Sequence, residues 1–143
     1  MTDTVLVVED DPANALLVET ILRNLGDFDV VTSDDGDEIL ELVASRPISA
    51  ALMDVSLKNT RVAGEKVDGV ELTRRIRALP GGVGLPVILL TAHAMKGDRE
   101  RLLFSSGAND YVAKPIGDQR ALVSLVRSHI RTVQDFEGAE VDA

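Results

Sequence analysis

The chain lacks cysteine, has few aromatic residues and no long hydrophobic run, and carries fewer basic than acidic residues. Without cysteine it can form neither a disulfide framework nor a thiolate site, which suits a reducing compartment. Its formal net charge of −9 disfavours direct nucleic-acid binding, because phosphates would be repelled. The sequence has neither a signal-peptide pattern nor the ~18 apolar residues of a membrane span. These absences predict a soluble, cytoplasmic protein without membrane insertion.

Within its 143 residues, a length typical of one domain, strand and helix patterns alternate regularly. Apolar and β-branched runs predict strands at 4–8, 28–32, 49–54, 87–90 and 110–113. Amphipathic stretches predict a helix after each strand, the fourth over 98–106 and the last over 118–133. Five such units predict an α/β fold with a doubly wound, five-stranded parallel sheet. The natural strand order is 2-1-3-4-5, flavodoxin-like, with helices on both faces.

Polar side chains stand at the ends of four predicted strands. They are Glu9 and Asp10 after the first strand, Asp54 at the end of the third, Thr91 after the fourth and Lys114 after the fifth. In a doubly wound sheet these ends meet at one crevice, where the strand order reverses. Three carboxylates close together need protons or a cation to balance them, and oxygen ligands without His or Cys favour Mg²⁺.

This donor set suits phosphoryl transfer. A carboxylate can attack a phosphoryl group while Mg²⁺ and an ammonium group neutralise the phosphoryl oxygens. The sequence therefore predicts Asp54 as the nucleophile, Lys114 as the positive charge and the Thr91 hydroxyl as a hydrogen-bond donor to a phosphoryl oxygen.

Four segments together resemble the receiver domain of two-component response regulators, over about residues 4–132. They are Val8-Glu9-Asp10-Asp11-Pro12, Leu52-Met53-Asp54, Leu90-Thr91-Ala92 and Tyr111-Val112-Ala113-Lys114-Pro115. The stretch from Thr91 to Asp98 resembles the corresponding part of single-domain and hybrid-kinase receivers. The resemblance implies a single-domain receiver over 1–132, and the net acidic segment 133–143 is predicted to be a flexible C-terminal tail.

The resemblance also implies a mechanism in which Asp54 accepts a phosphoryl group from a histidine kinase or phosphotransfer protein. The implied Mg²⁺ ligands are Glu9, Asp10, Asp54 and the backbone carbonyl of Ser56. The implied switch pair is Thr91 and Tyr111, and the implied phosphate-binding residue is Lys114, whose bond to Pro115 is commonly cis in the family. Such a domain is a signalling phosphoacceptor rather than an enzyme. It assists its own phosphorylation and dephosphorylation and changes its contacts with a downstream protein target.

The sequence leaves two alternatives open. The chain could be a non-phosphorylated pseudo-receiver that acts as a binding module, or a receiver fragment of a hybrid histidine kinase. A flavin carrier is disfavoured by the acids and proline after the first strand, and a haloacid-dehalogenase-like phosphatase is disfavoured by Ser56, where that family needs a second Asp.

Several residues have a structural and a functional interpretation. The segment 55–67 is longer than the corresponding loop of most receivers and is predicted to be an irregular insertion. Its cationic residues, Lys58, Arg61 and Lys66, could instead alter phosphate lifetime or partner choice. Asp11 is predicted to cap the first helix, and Asp34, Asp35 and Asp37 to form the capped start of the second. His93 is either a solvated loop residue or one that tunes acyl-phosphate hydrolysis, and His129 is predicted to lie at a helix surface or boundary.

Overall fold

The structure, a computed structural model, describes residues 2–92 and 97–142, which surround a sheet of five parallel strands. These strands are β1 (Thr4–Val8), β2 (Asp29–Ser33), β3 (Ala50–Asp54), β6 (Val87–Thr91) and β7 (Asp110–Ala113). A separate antiparallel pair consists of β4 (Arg61–Val62) and β5 (Glu65–Lys66). The helices are α1 (Pro12–Gly26), α2 (Gly36–Ser45), α3 (Gly69–Arg77), α4 (Asp98–Ser106) and α5 (Gln119–Asp142). The sheet order β2-β1-β3-β6-β7 confirms the predicted order and fold class.

The central strands have apolar side chains on both faces because helices cover both faces. Every residue of β3 and β6 is buried, which explains their unbroken apolar runs. Along β1, Val5 and Val7 belong to the core shared with α1 and α5, whereas Leu6 and Val8 belong to the core shared with α2 and α3. The two cores hold the carboxyl ends of the central strands rigidly at one edge of the sheet.

Helices α1, α2 and α3 each begin at that edge with an aspartate cap. Asp11, Asp35 and Asp68 each accept a hydrogen bond from a backbone N–H in the first turn of α1, α2 and α3 respectively. The side-chain oxygen satisfies an N–H that has no partner within the helix. The predicted capping by Asp11 and Asp35 is therefore confirmed.

Helix α5 is longer than predicted. It runs to Asp142 instead of ending at Val133, so the predicted helix end is wrong. The following sequence contains good helix formers and no proline, and a helix that is already nucleated extends at little cost. The assignment of residues 1–132 to the domain stays a prediction. Among the described residues, none of the helices combines the length and the apolar character that crossing a membrane requires.

The segment 55–67 is not the irregular loop predicted from its sequence. It contains the β4–β5 hairpin, in which Arg61 pairs with Lys66 and Val62 with Glu65. Strands of two residues are too short to produce a recognisable hydrophobic alternation, so the pattern could not reveal them. The segment after β3 therefore forms a hairpin beside the carboxyl edge of the sheet, where the sequence predicted an irregular loop.

Candidate functional site

A cleft of about 360 Å³ lies at the carboxyl edge of the sheet. Glu9, Asp10 and Asp54 each contribute a carboxylate oxygen to it, and these three oxygens lie within 4.8 Å of one another. The other lining residues are Asp11, Asn14, Ser56, Lys58, Asn59 and Lys114. Because β1 and β3 are neighbours in the sheet, their ends bring together acids that are more than forty positions apart in sequence.

Lys114 is the cation that pairs with the buried carboxylates of this cleft. Its Nζ donates to Oε1 of Glu9 at 3.1 Å and lies 3.2 Å from Oδ1 of Asp54. Its backbone N–H donates to the carbonyl oxygen of Thr91 at 2.7 Å, and its bond to Pro115 is cis. The ends of β6 and β7 therefore place the ammonium group between the buried carboxylates.

Asp54 ends β3 and is only 3% exposed. Its Oδ1 accepts a hydrogen bond from the backbone N–H of Ser56 at 3.1 Å, in addition to the ion pair with Lys114. Two donors on one oxygen restrict rotation of the carboxylate. The side chain is thereby held in a fixed orientation at the floor of the cleft.

Glu9 and Asp10 are held by different backbone donors. Oε2 of Glu9 accepts from the N–H of Asp10 at 3.0 Å, and Oδ2 of Asp10 accepts from the N–H groups of Lys58 and Asn59 at 2.7 and 3.1 Å. The donors to Asp10 belong to the segment that leads into β4. The first and third strand ends are consequently linked through Asp10.

The cleft perturbs the ionisation of two of its members. Burial raises the pKa of Glu9, and the neighbouring carboxyl group of Asp54 raises it further, while Lys114 partly opposes them. Burial alone would lower the pKa of Lys114, but the hydrogen bond to Glu9 and the charges of Asp54 and Glu9 raise it above its ordinary value. With Asp11 included, four carboxyl groups line the cleft, against the two ammonium groups of Lys58 and Lys114.

This excess charge fits a divalent cation. The cluster offers only oxygen ligands, which are the ligands that hard ions such as Mg²⁺ prefer, and the cleft leaves room for water or a phosphate beside them. The residues present are thus able to hold a metal ion of that class.

The remaining predicted site residues lie on β6, on β7 and just after β3. Thr91 is fully buried at the end of β6, and Tyr111 is half-buried on β7, where it pairs with Leu89. Ser56 lines the cleft. His93 lies outside the described residues. Of the predicted residues that it describes, the structure therefore brings five into one cleft: Glu9, Asp10, Asp54, Ser56 and Lys114. Thr91 ends the neighbouring strand β6, and Tyr111 lies on β7, two strands from Asp54.

Sequence reasoning missed the backbone N–H groups that donate to Asp10 and the contact between Asp37 and the hairpin that follows them. The amides of Lys58 and Asn59 have no sequence signature, since every residue other than proline carries an N–H group. Asp37, predicted only as part of a helix start, also accepts from the N–H of Ala63 in the hairpin. The length of segment 55–67 was the one signal that pointed to this region.

Some relatives of this chain are much longer proteins, and others are about as long as the chain itself. It is 36% identical over 119 residues to the sensor histidine kinase GacS of Pseudomonas protegens, covering 81% of this chain but 12% of that protein. It is also 36% identical over 125 residues to an uncharacterised 14.6 kDa protein of Leptolyngbya boryana, covering 87% of this chain and 88% of that protein. The chain thus spans only a small part of the kinases that it matches.

A solved structure provides the corresponding comparison of folds. The receiver domain of the sensor histidine kinase PA1611 from Pseudomonas aeruginosa PAO1 is 36% identical, with a TM-score of 0.76 and coverage of 91% of this chain and 98% of that one. That crystal structure has a magnesium ion coordinated in its active site cleft. The family model of the response regulator receiver domain matches residues 5–127, nearly the whole chain. This protein therefore belongs to the response regulator receiver domain family.

Proposed function

We propose that this chain is the phosphoacceptor of a two-component or phosphorelay system, with Asp54 as the residue that accepts the phosphoryl group. The observation that carries the proposal is the placement of Asp54. Its carboxylate lies 3.2 Å from the ammonium group of Lys114 and within 4.8 Å of the oxygens of Glu9 and Asp10. The buried carboxylate of Asp54 thus lies beside both an ammonium group and two further carboxylates, which is the arrangement that the proposed role requires.

The proposed donor is a histidine kinase or a histidine phosphotransfer protein. A carboxylate oxygen of Asp54 forms a bond to phosphorus as the phosphorus–nitrogen bond to the donor histidine breaks, and the bond electrons leave with the imidazole. The same site would assist phosphorylation by small phosphodonors and later hydrolysis of the aspartyl phosphate by water. The protein's part is mainly positioning and charge stabilisation.

Mg²⁺ is the proposed metal, held by Glu9, Asp10, Asp54 and the backbone carbonyl of Ser56. When bound, it would neutralise negative charge on the phosphoryl oxygens. Lys114 would contact a phosphoryl oxygen from the other side, replacing part of its present ion pairing with Asp54 and Glu9. The magnesium ion of the PA1611 receiver supports this assignment for a related site.

Phosphorylation would act by shifting a population between two conformers. Thr91 is buried, and its carbonyl oxygen accepts a hydrogen bond from the N–H of Lys114. Movement of Thr91 toward the phosphoryl group would therefore also displace the backbone at the end of β7. Tyr111 lies on β7 itself and is the proposed second member of the switch. The output would be altered contact with a downstream protein rather than with nucleic acid. A cytoplasmic location also stays a prediction.

Intact mass after incubation with acetyl phosphate or phosphoramidate and Mg²⁺ tests this function, with Asp54→Asn as the matched variant. We expect the wild type to gain one phosphoryl group, and we expect no gain in the variant or in the presence of a chelator. Asn is nearly isosteric with Asp but lacks the nucleophilic carboxylate. Lack of any gain in the folded wild type from several donors would favour a non-phosphorylated binding module instead.

A further inference from the structure

The hairpin that interrupts the loop after Asp54 is a well-defined element of this chain. We call residues 57–67 the insert hairpin. Its turn, Ala63-Gly64, has φ values of 51° and 82°, the left-handed conformation that two-residue hairpin turns favour. The side chain of Arg61 donates to the carbonyl oxygen of Gly64 at 3.0 Å. At the base, the N–H of Val67 donates to the carbonyl oxygen of Thr60 at 3.0 Å. The turn and the base of the hairpin are therefore both fixed.

One side of the insert hairpin is anchored to the start of α2. The N–H of Ala63 donates to both carboxylate oxygens of Asp37, at 3.0 and 3.3 Å. Next to it, a Cβ on Gly36 would lie 2.3 Å from the carbonyl oxygen of Arg61, so only glycine permits this close approach. Val62 is buried in the core that includes α2 and α3. The hairpin is thus attached by a charged hydrogen bond and by apolar packing.

The other end of the insert hairpin holds Asp10. Between the buried Leu57 and Thr60, the backbone N–H groups of Lys58 and Asn59 both donate to Oδ2 of Asp10. A carboxylate oxygen has about two lone pairs, so these donors occupy Oδ2 and leave Oδ1 available for a cation. A carboxylate oriented on folding needs little further ordering when a metal ion binds.

We propose that the insert hairpin preorganises Asp10 as a single-oxygen ligand of the metal site, and that Asp37 is a positioning residue for that ligand. This inference rests on the proposed function, in which Asp10 binds Mg²⁺. The linkage runs from Asp37 through Ala63 to the backbone of Lys58 and Asn59, and from there to Asp10. Asp37 thereby supports a ligand on a different element without touching the metal itself.

The test is a Mg²⁺ titration of the full chain, followed through backbone amide signals in ¹⁵N NMR. Asp37→Ala is compared with the wild type and with Asp34→Ala, which removes the same charge from an exposed position at the same helix start. We expect about tenfold weaker Mg²⁺ binding in Asp37→Ala, a size typical of lost outer-shell support, and near wild-type binding in Asp34→Ala. The Lys58 and Asn59 amides should also exchange faster with solvent in Asp37→Ala. The Val55 amide, bonded to the carbonyl oxygen of Leu90, should not change.

Gly36→Ala provides an independent second variant, since its methyl group would push the insert hairpin away without removing a charge. We expect it to weaken Mg²⁺ binding as Asp37→Ala does. Wild-type affinity in both folded variants, or tighter binding in either, would overturn the inference, because tighter binding would mean that the hairpin competes with the metal for Asp10. A wild type that binds no Mg²⁺ would instead reject the proposed metal site, and with it this inference.

Discussion

Asp110 lies on β7, the edge strand opposite β2, and its side chain joins β7 to two helices. Its Oδ1 accepts from Arg99 of α4 at 3.1 Å and from the N–H of Tyr111 at 2.8 Å, and its Oδ2 lies 3.0 Å from Nε2 of His129 on α5. Burial alone would raise the pKa of Asp110, but the hydrogen bonds from these three donors and the charge of Arg99 together lower it. The carboxylate is therefore more stable in its charged form when the chain is folded.

We predict that Asp110→Asn destabilises the fold by about 1 kcal/mol at pH 7, since the partners are partly exposed and screened by water. A folded-state pKa below 3.8 means that the stabilisation is fully present above pH 3.8 and is lost as pH falls through the folded-state value. Urea unfolding of both proteins from pH 7 to pH 3 checks this, with Asp29→Asn on the exposed edge of β2 as the control. A difference that does not shrink at low pH would contradict the prediction.

At the scale of elements, the start of α3 lies directly against the end of β3. The N–H of Gly69 donates to the carbonyl oxygen of Val55 at 3.1 Å, and a Cβ on Gly69 would lie 2.1 Å from the carbonyl oxygen of Asp54. Asp68 caps the helix by accepting from the N–H of Glu71. Helix α3 therefore approaches the backbone of the proposed phosphoacceptor as closely as glycine allows.

We predict that Gly69→Ala lowers the free energy of unfolding by about 2 kcal/mol, because the added methyl group forces the helix away from the strand. It should also slow phosphorylation of the folded protein, since the displaced backbone carries Asp54. Urea unfolding and the rate of mass gain with acetyl phosphate measure the two effects. Gly84→Ala is the control, because its Cβ would meet none of the described residues within 4 Å. Equal rates for both folded variants would show that the contact matters to stability alone.

At the scale of the whole molecule, charge and binding are linked. The chain has a formal net charge of −9, and part of that excess is concentrated in the cleft. A cation that binds only the folded state stabilises it by mass action, by about 2.7 kcal/mol at a hundred times its Kd. Occupation of the cleft should therefore change the stability of the entire fold.

We predict that saturating Mg²⁺ raises the Tm by roughly 5 to 10 °C, a range that follows from this linkage and the size of the domain. The shift should be lost in Asp10→Ala, whatever the Tm of that variant without metal. NaCl at matched ionic strength separates site binding from general screening of the net negative charge. A shift retained in Asp10→Ala, or reproduced by NaCl, would assign the stabilisation to surface charge instead.

Much of the fold was predictable because it depends on local patterns. The unbroken apolar runs of β3 and β6 indicate strands covered on both faces, and the observed bounds of α4 and β7 are those predicted. Short crossovers then leave few strand orders. The meeting of Glu9, Asp10 and Asp54 follows from that order alone, since parallel strands present their carboxyl ends at the same edge.

Only the tertiary structure decided the features that depend on contacts between distant elements. The insert hairpin is held by Asp37, which lies 26 residues before Ala63, and Asp110 is joined to α4 and α5 by side chains whose spacing carries no periodic signal. Such pairings depend on distances that packing sets after the elements have formed. By itself, the sequence determined which acids at the strand ends meet with Lys114 in the cleft, because strand ends are encoded locally. Only the structure showed what holds those residues in place. That support comes from backbone N–H groups and from close contacts between backbone segments, which the residue types do not reveal.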